Sequence, residues 1–298
     1  MTTSALPTRA SASAKTAAAP PQRRRRKRHV WVNTIAIVFS IVWIFPVYWM
    51  VNTAFKPQPE VMTSTPHFLP LNPTLDNFVV AITQTNFLIN LRNSVIVVVG
   101  AVVFALALSL FAAAALSRFR FRGRRTIMVL ILAVQMLPGT ALLIPQFLIF
   151  NNLGLLGSYF GLILAYVAAV LPFAIWTLRG FFITIPVELE EAAMVDGAGT
   201  WRILRSILFP LVVPGVISTS IFAFISAWNE YILAYTFMKE QTMYTLPIWL
   251  VSFSSPTTGT DYGGQMAASV LFALPVVIFF LIIQRHLVAG MSAGAVKG

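Results

Sequence analysis

Long stretches of uncharged, apolar residues alternate with short charged ones along the chain. Windows free of Asp, Glu, Lys and Arg cover residues 30–55, 93–117, 126–178, 206–229 and 262–284. A helix crossing a bilayer needs about 20 apolar residues, and a charge at its centre costs about 2.5–3.5 kcal/mol on insertion scales, so each window predicts a spanning helix. The third window is 53 residues long, enough for two helices. Its break is Asn151-Asn152-Leu153-Gly154 with Gly157-Ser158 just beyond, which places the division near 151–157. The pattern therefore predicts an all-α membrane protein of six transmembrane helices.

Composition agrees. Of 298 residues 58% are apolar and 10% charged, with a mean hydropathy of +0.81, whereas a soluble domain carries about a quarter charged residues. The chain has no cysteine, which removes disulfides, thiolate nucleophiles and Cys-based metal sites together. The formal net charge of +12 is unevenly placed. Eighteen of the 21 Lys and Arg residues lie in the N-terminal tail, in 118–125, in 179–205 and after residue 284. Only Lys56, Arg92 and Lys239 fall on the alternate side. Since cytoplasmic loops collect basic residues, both termini are expected in the cytoplasm (N-in, C-in), and segments 56–92, 151–157 and 230–261 outside.

Residues 1–29 are rich in Ala, Ser, Thr and Pro, contain no acid and end in the run from Arg23 to Arg28. Too little apolar surface is present to offset ordering entropy, so a disordered basic cytoplasmic tail is expected. A basic run can bind nucleic acid, but here it abuts a long apolar segment, where it serves as a topological anchor, and no nucleic-acid partner is expected. That apolar segment is too long for a signal-peptide core and lacks a small-residue cleavage site. It should stay in the membrane, giving a permease domain over 30–290 and a cytoplasmic C-terminal tail over 291–298.

Pro46, Pro138, Pro145, Pro172, Pro214 and Pro275 fall within spans, where each removes a backbone donor and favours a kink. Small residues recur four apart at Ala101, Ala105, Ser109 and Ala113, and again at Gly157 and Gly161, and such stripes mark helix contacts within the chain or with a second subunit. Gln135, Ser109, Ser218, Thr219, Ser220 and Gln265 could line a polar pathway, although interhelical hydrogen bonding explains most such residues.

One inner segment, from Pro186 to Pro210, stands out. Pro186 suits a first helical turn, Glu188, Glu190 and Glu191 place carboxylates at a positive helix N-terminus, and Gly197 supplies a positive-φ stop. Thr200 can then cap a second helix running through Trp201, Leu204 and Leu208 into the fifth span. The product is a helix-turn-helix outside the bilayer. Ala192 and Ala193 leave part of its first helix without bulk between Leu189 and Val195. Such a surface can be received in another protein's cleft, with Glu191 and Asp196 at the rim, or it can be an amphipathic connector covering helix ends.

Glu191-Ala192-Ala193, Gly197, Ile207 and Pro210 in this spacing resemble the EAA loop of ABC importer permeases, with Phe209 where that family usually has Leu. The C-terminal block Gln284-Arg285 and Val288 to Gly298 is similar to the end of maltose-type carbohydrate permeases, as are Trp228-Asn229-Glu230-Tyr231 and Thr245-Leu246-Pro247. The resemblance covers 30–298 in layout and is strongest from Pro186 onward. It implies the transmembrane domain of a type I ABC importer and a permease subunit for a di- or oligosaccharide in the cell membrane. The implied partners are a homologous second permease subunit, two ATP-binding subunits and an extracytoplasmic sugar-binding protein. It also implies that Glu191, Ala192, Ala193, Asp196 and Gly197 couple to the ATPase. Gly294, Ala295, Val296, Lys297 and Gly298 become a second ATPase contact, and the 237–261 segment the one that probes the binding protein.

The chain contains no Gly-x-x-x-x-Gly-Lys-[Ser/Thr] loop, so any ATP must be hydrolysed elsewhere. His29, His67 and His286 form no His-Glu-x-x-His pair, and neither a catalytic residue, a metal nor a cofactor is expected in this chain. A six-helix secondary transporter or channel is the alternative, but those commonly carry ionisable groups in mid-span, and here all lie at span ends or in loops. Glu230, beside Asn229, comes nearest to an exception. The pair is a candidate for the substrate pathway, and Glu230 is otherwise an interfacial carboxylate.

Overall fold

The structure, a computed structural model, describes residues 24–83, 86–255 and 259–294, with side chains for 30–83, 86–253 and 261–285. Two units are distinguished, one up to Tyr48 and one from Trp49 onward. The first consists of most of helix α1 (Arg24–Ala54). Basic residues Arg24 to Arg28 are helical, so the helix begins inside the expected tail, and residues 1–23 lie outside the described ones. Within this span Thr34 and Ser40 donate their hydroxyl protons to the carbonyls of Val30 and Ala36, at 2.9 and 2.8 Å. Each therefore brings its own partner into an apolar setting.

The second unit opens with an outer cap. Short helices α2 (Gln58–Val61) and α3 (Asp76–Thr83) follow the end of α1. Buried Asn77 donates to the carbonyls of Ala54 and Lys56 at 3.0 and 2.8 Å. Lys56, 3% exposed, donates to the His67 carbonyl at 2.5 Å and lies 4.9 Å over the Trp49 ring. The Glu60 carboxylate accepts from the Leu71 and Asn72 amides. These internal bonds make the expected outer segment a folded piece rather than an open loop.

Helix α4 (Phe87–Arg118) is the axis of the core and packs along α7 (Tyr159–Thr184) and α10 (Phe209–Trp228). Ala101, Ala105, Ser109 and Ala113 of its stripe are all buried. A Cβ at neighbouring Gly100 would come within 2.7 Å of the Ile163 side chain, and one at Gly215 within 2.5 Å of the Phe181 side chain, so these glycines let side chains of α7 rest directly on the backbones of α4 and α10. The small-residue stripe is thus used within the chain. Ser109, Ser218 and Ser220 bond to carbonyls three or four residues earlier in their own helices rather than to neighbouring helices.

The third span departs from a single kinked helix. It is broken into α5 (Arg124–Gln135) and α6 (Gly139–Asn152), bent by 104°. Pro138 sits at the break in extended backbone (φ −64°, ψ 127°), since it lacks the N–H that would carry α5 onward and disfavours helix in the residue before it. Among the described residues, five helices are long and apolar enough to cross a membrane, and six if the bent pair is one span. The expected division at 151–157 holds, because α6 ends at Asn152 and α7 starts at Tyr159.

Beyond α7 come the inner helices α8 (Glu188–Val195) and α9 (Thr200–Ile203), then a π turn over Leu204–Leu208 leading into α10. Outside the far end of α10 lie α11 (Ile232–Phe237), α12 (Leu246–Val251) and a two-residue ladder, β1 (Ser254–Ser255) with β2 (Gly259–Thr260). Helix α13 (Tyr262–Gly294) closes the described chain.

Candidate coupling site

The inner hairpin has the form expected from its residues, with two corrections. Pro186 lies one residue before the N-cap Val187 rather than in the first turn of α8, and Gly199 rather than Thr200 is the N-cap of α9; Thr200 is its first residue and makes no capping bond. Extended backbone at Gly199 (ψ 162°) ends the turn one residue earlier than the Thr side chain suggested. The turn itself closes α8 in a Schellman motif. Ala198 N–H donates to the Ala193 carbonyl and Gly197 N–H to that of Met194, at 2.9 and 3.0 Å. Gly197 sits at φ +79°, a region that costs any residue with a Cβ. The π turn follows from Pro210, which cannot donate, so that Phe209 N–H reaches back five residues to Leu204.

Ala193 and Ala198 are half-buried against Leu178, Phe182 and Leu208, and this side of the hairpin packs on the bundle. Its other side is open. Glu191, Ala192, Asp196 and Gly197 are exposed, and so are Leu189, Met194, Val195 (89%) and Trp201 (60%). Large apolar side chains ringed by two acids form a surface unlike an ordinary solvated turn.

Three contacts tie the hairpin to the end of α4. Arg118 Nε lies 2.6 Å from Glu190 Oε1, both side chains about nine-tenths buried. The N–H direction falls outside hydrogen-bond alignment, so this is an ion pair held by Coulomb attraction in a dry site. Arg118 also donates from Nη2 to the Ile185 carbonyl at 2.9 Å. Trp201 stacks on Phe111 of α4 with centroids 6.2 Å apart and planes within 8°. Phe209, at the position where the resemblance expected Leu, packs edge-on against the same Phe111 at 5.5 Å. Sequence reasoning placed Glu190 only among acids at a helix start. Nothing in the chain announces that Arg118, 72 positions earlier, is its partner.

The opposite end of α4 holds the outer connection. Asn93 Nδ2 donates to the carbonyls of Thr242 and Tyr244 at 2.8 and 2.9 Å, while its Oδ1 accepts from the Tyr159 hydroxyl at 2.7 Å. Ser94 Oγ accepts from Leu246 N–H at 2.7 Å. Leu246, Pro247, Ile248 and Trp249 are buried as a result. Of the 237–261 segment, the first two-thirds is thereby part of the folded body.

Asn229 is exposed and donates to the Ile225 carbonyl within its own helix. Glu230 caps α11, accepting from the amides of Leu233 (3.0 Å) and Ala234 (3.2 Å). Burial raises its carboxyl pKa above the ordinary value, and these amide bonds act in the opposite direction. Glu230 also lines a small pocket of about 100 Å³ with Gln135, Tyr166 and Ser226, beside the break in the third span. Gly294 is the last described residue of α13, and Ala295, Val296, Lys297 and Gly298 lie outside the described residues.

A polytopic helical bundle whose inner hairpin is braced against one span, and whose outer connection is clamped to the same span, is the architecture of a membrane permease subunit. Residues 105–293 match the family described as "Binding-protein-dependent transport system inner membrane component", and the chain belongs to that family. It is 44% identical over 269 residues to the diacetylchitobiose uptake system permease protein DasC of Streptomyces coelicolor, covering 90% of this chain and 97% of that one. It is 34% identical to the trehalose/maltose transport system permease protein MalG of Thermococcus litoralis, over 88% and 95% of the two chains. In fold it is similar to a bacterial ABC transporter involved in import of the acidic polysaccharide alginate, with a TM-score of 0.77, 24% identity and coverage of 90% and 99%. The protein is accordingly a multi-pass membrane component of a transport system.

Proposed function

We propose that this chain is one of two membrane subunits of an ATP-driven importer that receives a di- or oligosaccharide from an extracytoplasmic binding protein. Relatives named for diacetylchitobiose and for trehalose or maltose support a sugar, and diacetylchitobiose is the first solute to test. The Lys and Arg distribution puts the hairpin, the end of α4 and both termini on the cytoplasmic side. There the exposed face of Glu191, Ala192, Asp196 and Gly197 docks on one of two ATP-binding subunits, with Ala193 supporting it from beneath. Gly294 to Gly298 add a second contact with the same partners.

The single observation that carries this reading is the bracing of that exposed hairpin on α4 by Arg118–Glu190 and Trp201–Phe111. A push on a loosely tethered loop would be absorbed locally. A push on this one reaches α4, and through Asn93 and Ser94 the outer connection, about 38 Å away along the helix axis. Substrate would pass the Asn229 and Glu230 end of α10, where the pocket beside Gln135 offers amide, phenol and hydroxyl groups. The experiment is uptake of labelled diacetylchitobiose by proteoliposomes holding the whole assembly. The reading requires accumulation that depends on both lumenal ATP and the binding protein. Accumulation driven by an ion gradient without ATP supports the secondary-transporter reading instead.

A further inference from the structure

Beside the coupling hairpin, on the same end of the bundle, residues of α5 and α7 line a groove of about 560 Å³ to which no residue of the hairpin contributes. Its polar end is made by three guanidinium groups, Arg124 and Arg125 at the start of α5 and Arg179 near the end of α7. Its other end is apolar, lined by Met128, Val129 and Trp176. No carboxylate lines the groove, and among the described residues the one ion pair is Arg118–Glu190. Arg124 and Arg179 turn one N–H each toward the carbonyls of Ser117 and Leu116, both at 3.3 Å, which fixes their heads without neutralising them. Arg125 is exposed.

Three positive charges converging without an acid repel one another, and the arrangement is relieved by an anion. A free anion would leave the apolar half of the groove empty, and Val129 and Trp176 exposed beside the charges. A molecule with a negative head and an acyl chain satisfies both halves. The groove also lies at the depth where such a molecule presents that pair, at the first turn of one span and the last turns of another. We propose that it binds an anionic phospholipid of the inner leaflet, the headgroup phosphate among Arg124, Arg125 and Arg179 and an acyl chain along Met128 and Val129. Bound there, next to Leu116 and Arg118 at the end of α4, the lipid would hold the α5–α7 edge of the bundle against the brace that supports the hairpin.

The test uses the complete transporter in nanodiscs of phosphatidylglycerol and phosphatidylcholine in equal parts, followed by native mass spectrometry of the lipid retained after detergent release. The wild type should retain phosphatidylglycerol in preference to phosphatidylcholine. Arg125→Gln, which removes an exposed side chain that has no hydrogen bond or ion pair among the described residues, should reduce that preference about fivefold, the scale of one basic residue near an anionic surface. Arg202→Gln, on the same side but outside the groove, should leave it unchanged. Excess inorganic phosphate should not displace the lipid. Equal retention of the two lipids, an unaltered preference in Arg125→Gln, or displacement by phosphate would each overturn the proposal. So would a photocrosslinker at Val129 that captured a protein chain rather than lipid.

Discussion

Arg118 and Glu190 face each other at 2.6 Å across the joint between α4 and the inner hairpin, in a site from which water is nearly excluded. Removing one member of such a pair leaves the other charge buried and unmatched, at a cost of about 3 kcal/mol. Glu190→Gln and Arg118→Gln should therefore each lower the thermal stability of the assembled transporter and reduce uptake more than tenfold. The double variant Arg118→Gln/Glu190→Gln should recover much of the stability, because no lone charge remains. Melting in detergent together with uptake in proteoliposomes checks both parts.

Gly197 adopts φ +79° to close the Schellman turn, and open space surrounds its missing Cβ. The penalty for a side chain there is thus one of backbone conformation rather than collision. Gly197→Ala should cost about 1 kcal/mol and Gly197→Val more, whereas Gly197→Asn, which tolerates this region, should come closest to the wild type. Uptake at matched expression gives the ranking. A wild-type rate in Gly197→Val would count against a hairpin of fixed geometry.

Asn93 satisfies three partners at once, two carbonyls of the outer connection and the Tyr159 hydroxyl. Asn93→Leu retains the size but orphans all three, so the outer connection should loosen while the chain still inserts. Limited proteolysis from the outer side should cut within 237–261 markedly faster than in the wild type, with Ser94→Ala intermediate.

Glu230 should give the protein a mild acid-side stability gain. Its folded pKa is raised above the unfolded value by burial, so the folded state binds more protons in the interval between the two. Stability then falls as pH rises through that interval and is highest below the unfolded value. Glu230→Gln keeps an oxygen to cap α11 and should flatten this dependence. Glu230→Ala loses the cap as well, at about 1 kcal/mol. Melting temperature against pH for the three proteins separates the two effects.

The sequence was a good guide wherever one local rule dominates. Charge-free windows located the spans, the Asn151 to Ser158 cluster marked a turn, and Gly197 announced its positive φ. Long-range partners were not legible, because Arg118 and Glu190, or Asn93 and Tyr244, are brought together by packing of small residues on α4 that periodicity alone cannot aim. The break at Met136 to Pro138 went unseen for a related reason. A proline within an apolar window signals a disturbance, yet whether the helix bends or breaks by 104° depends on its neighbours. The outer segments were placed by their scarcity of Lys and Arg, a tally that says nothing of their folding, and the internal bonds of Lys56, Glu60 and Asn77 were not legible in it.

The most direct test of the central claim uses the absence of cysteine in this chain, which makes any introduced thiol unique within it. Ala192→Cys, on the open face of the hairpin, is paired with a cysteine in the receiving groove of the ATP-binding subunit, and the assembly is oxidised in proteoliposomes. The account predicts a disulfide-linked pair of chains, uptake stopped by the link, and uptake restored by reductant. Failure to link at any position of that groove, with ATP-dependent uptake intact, would contradict it.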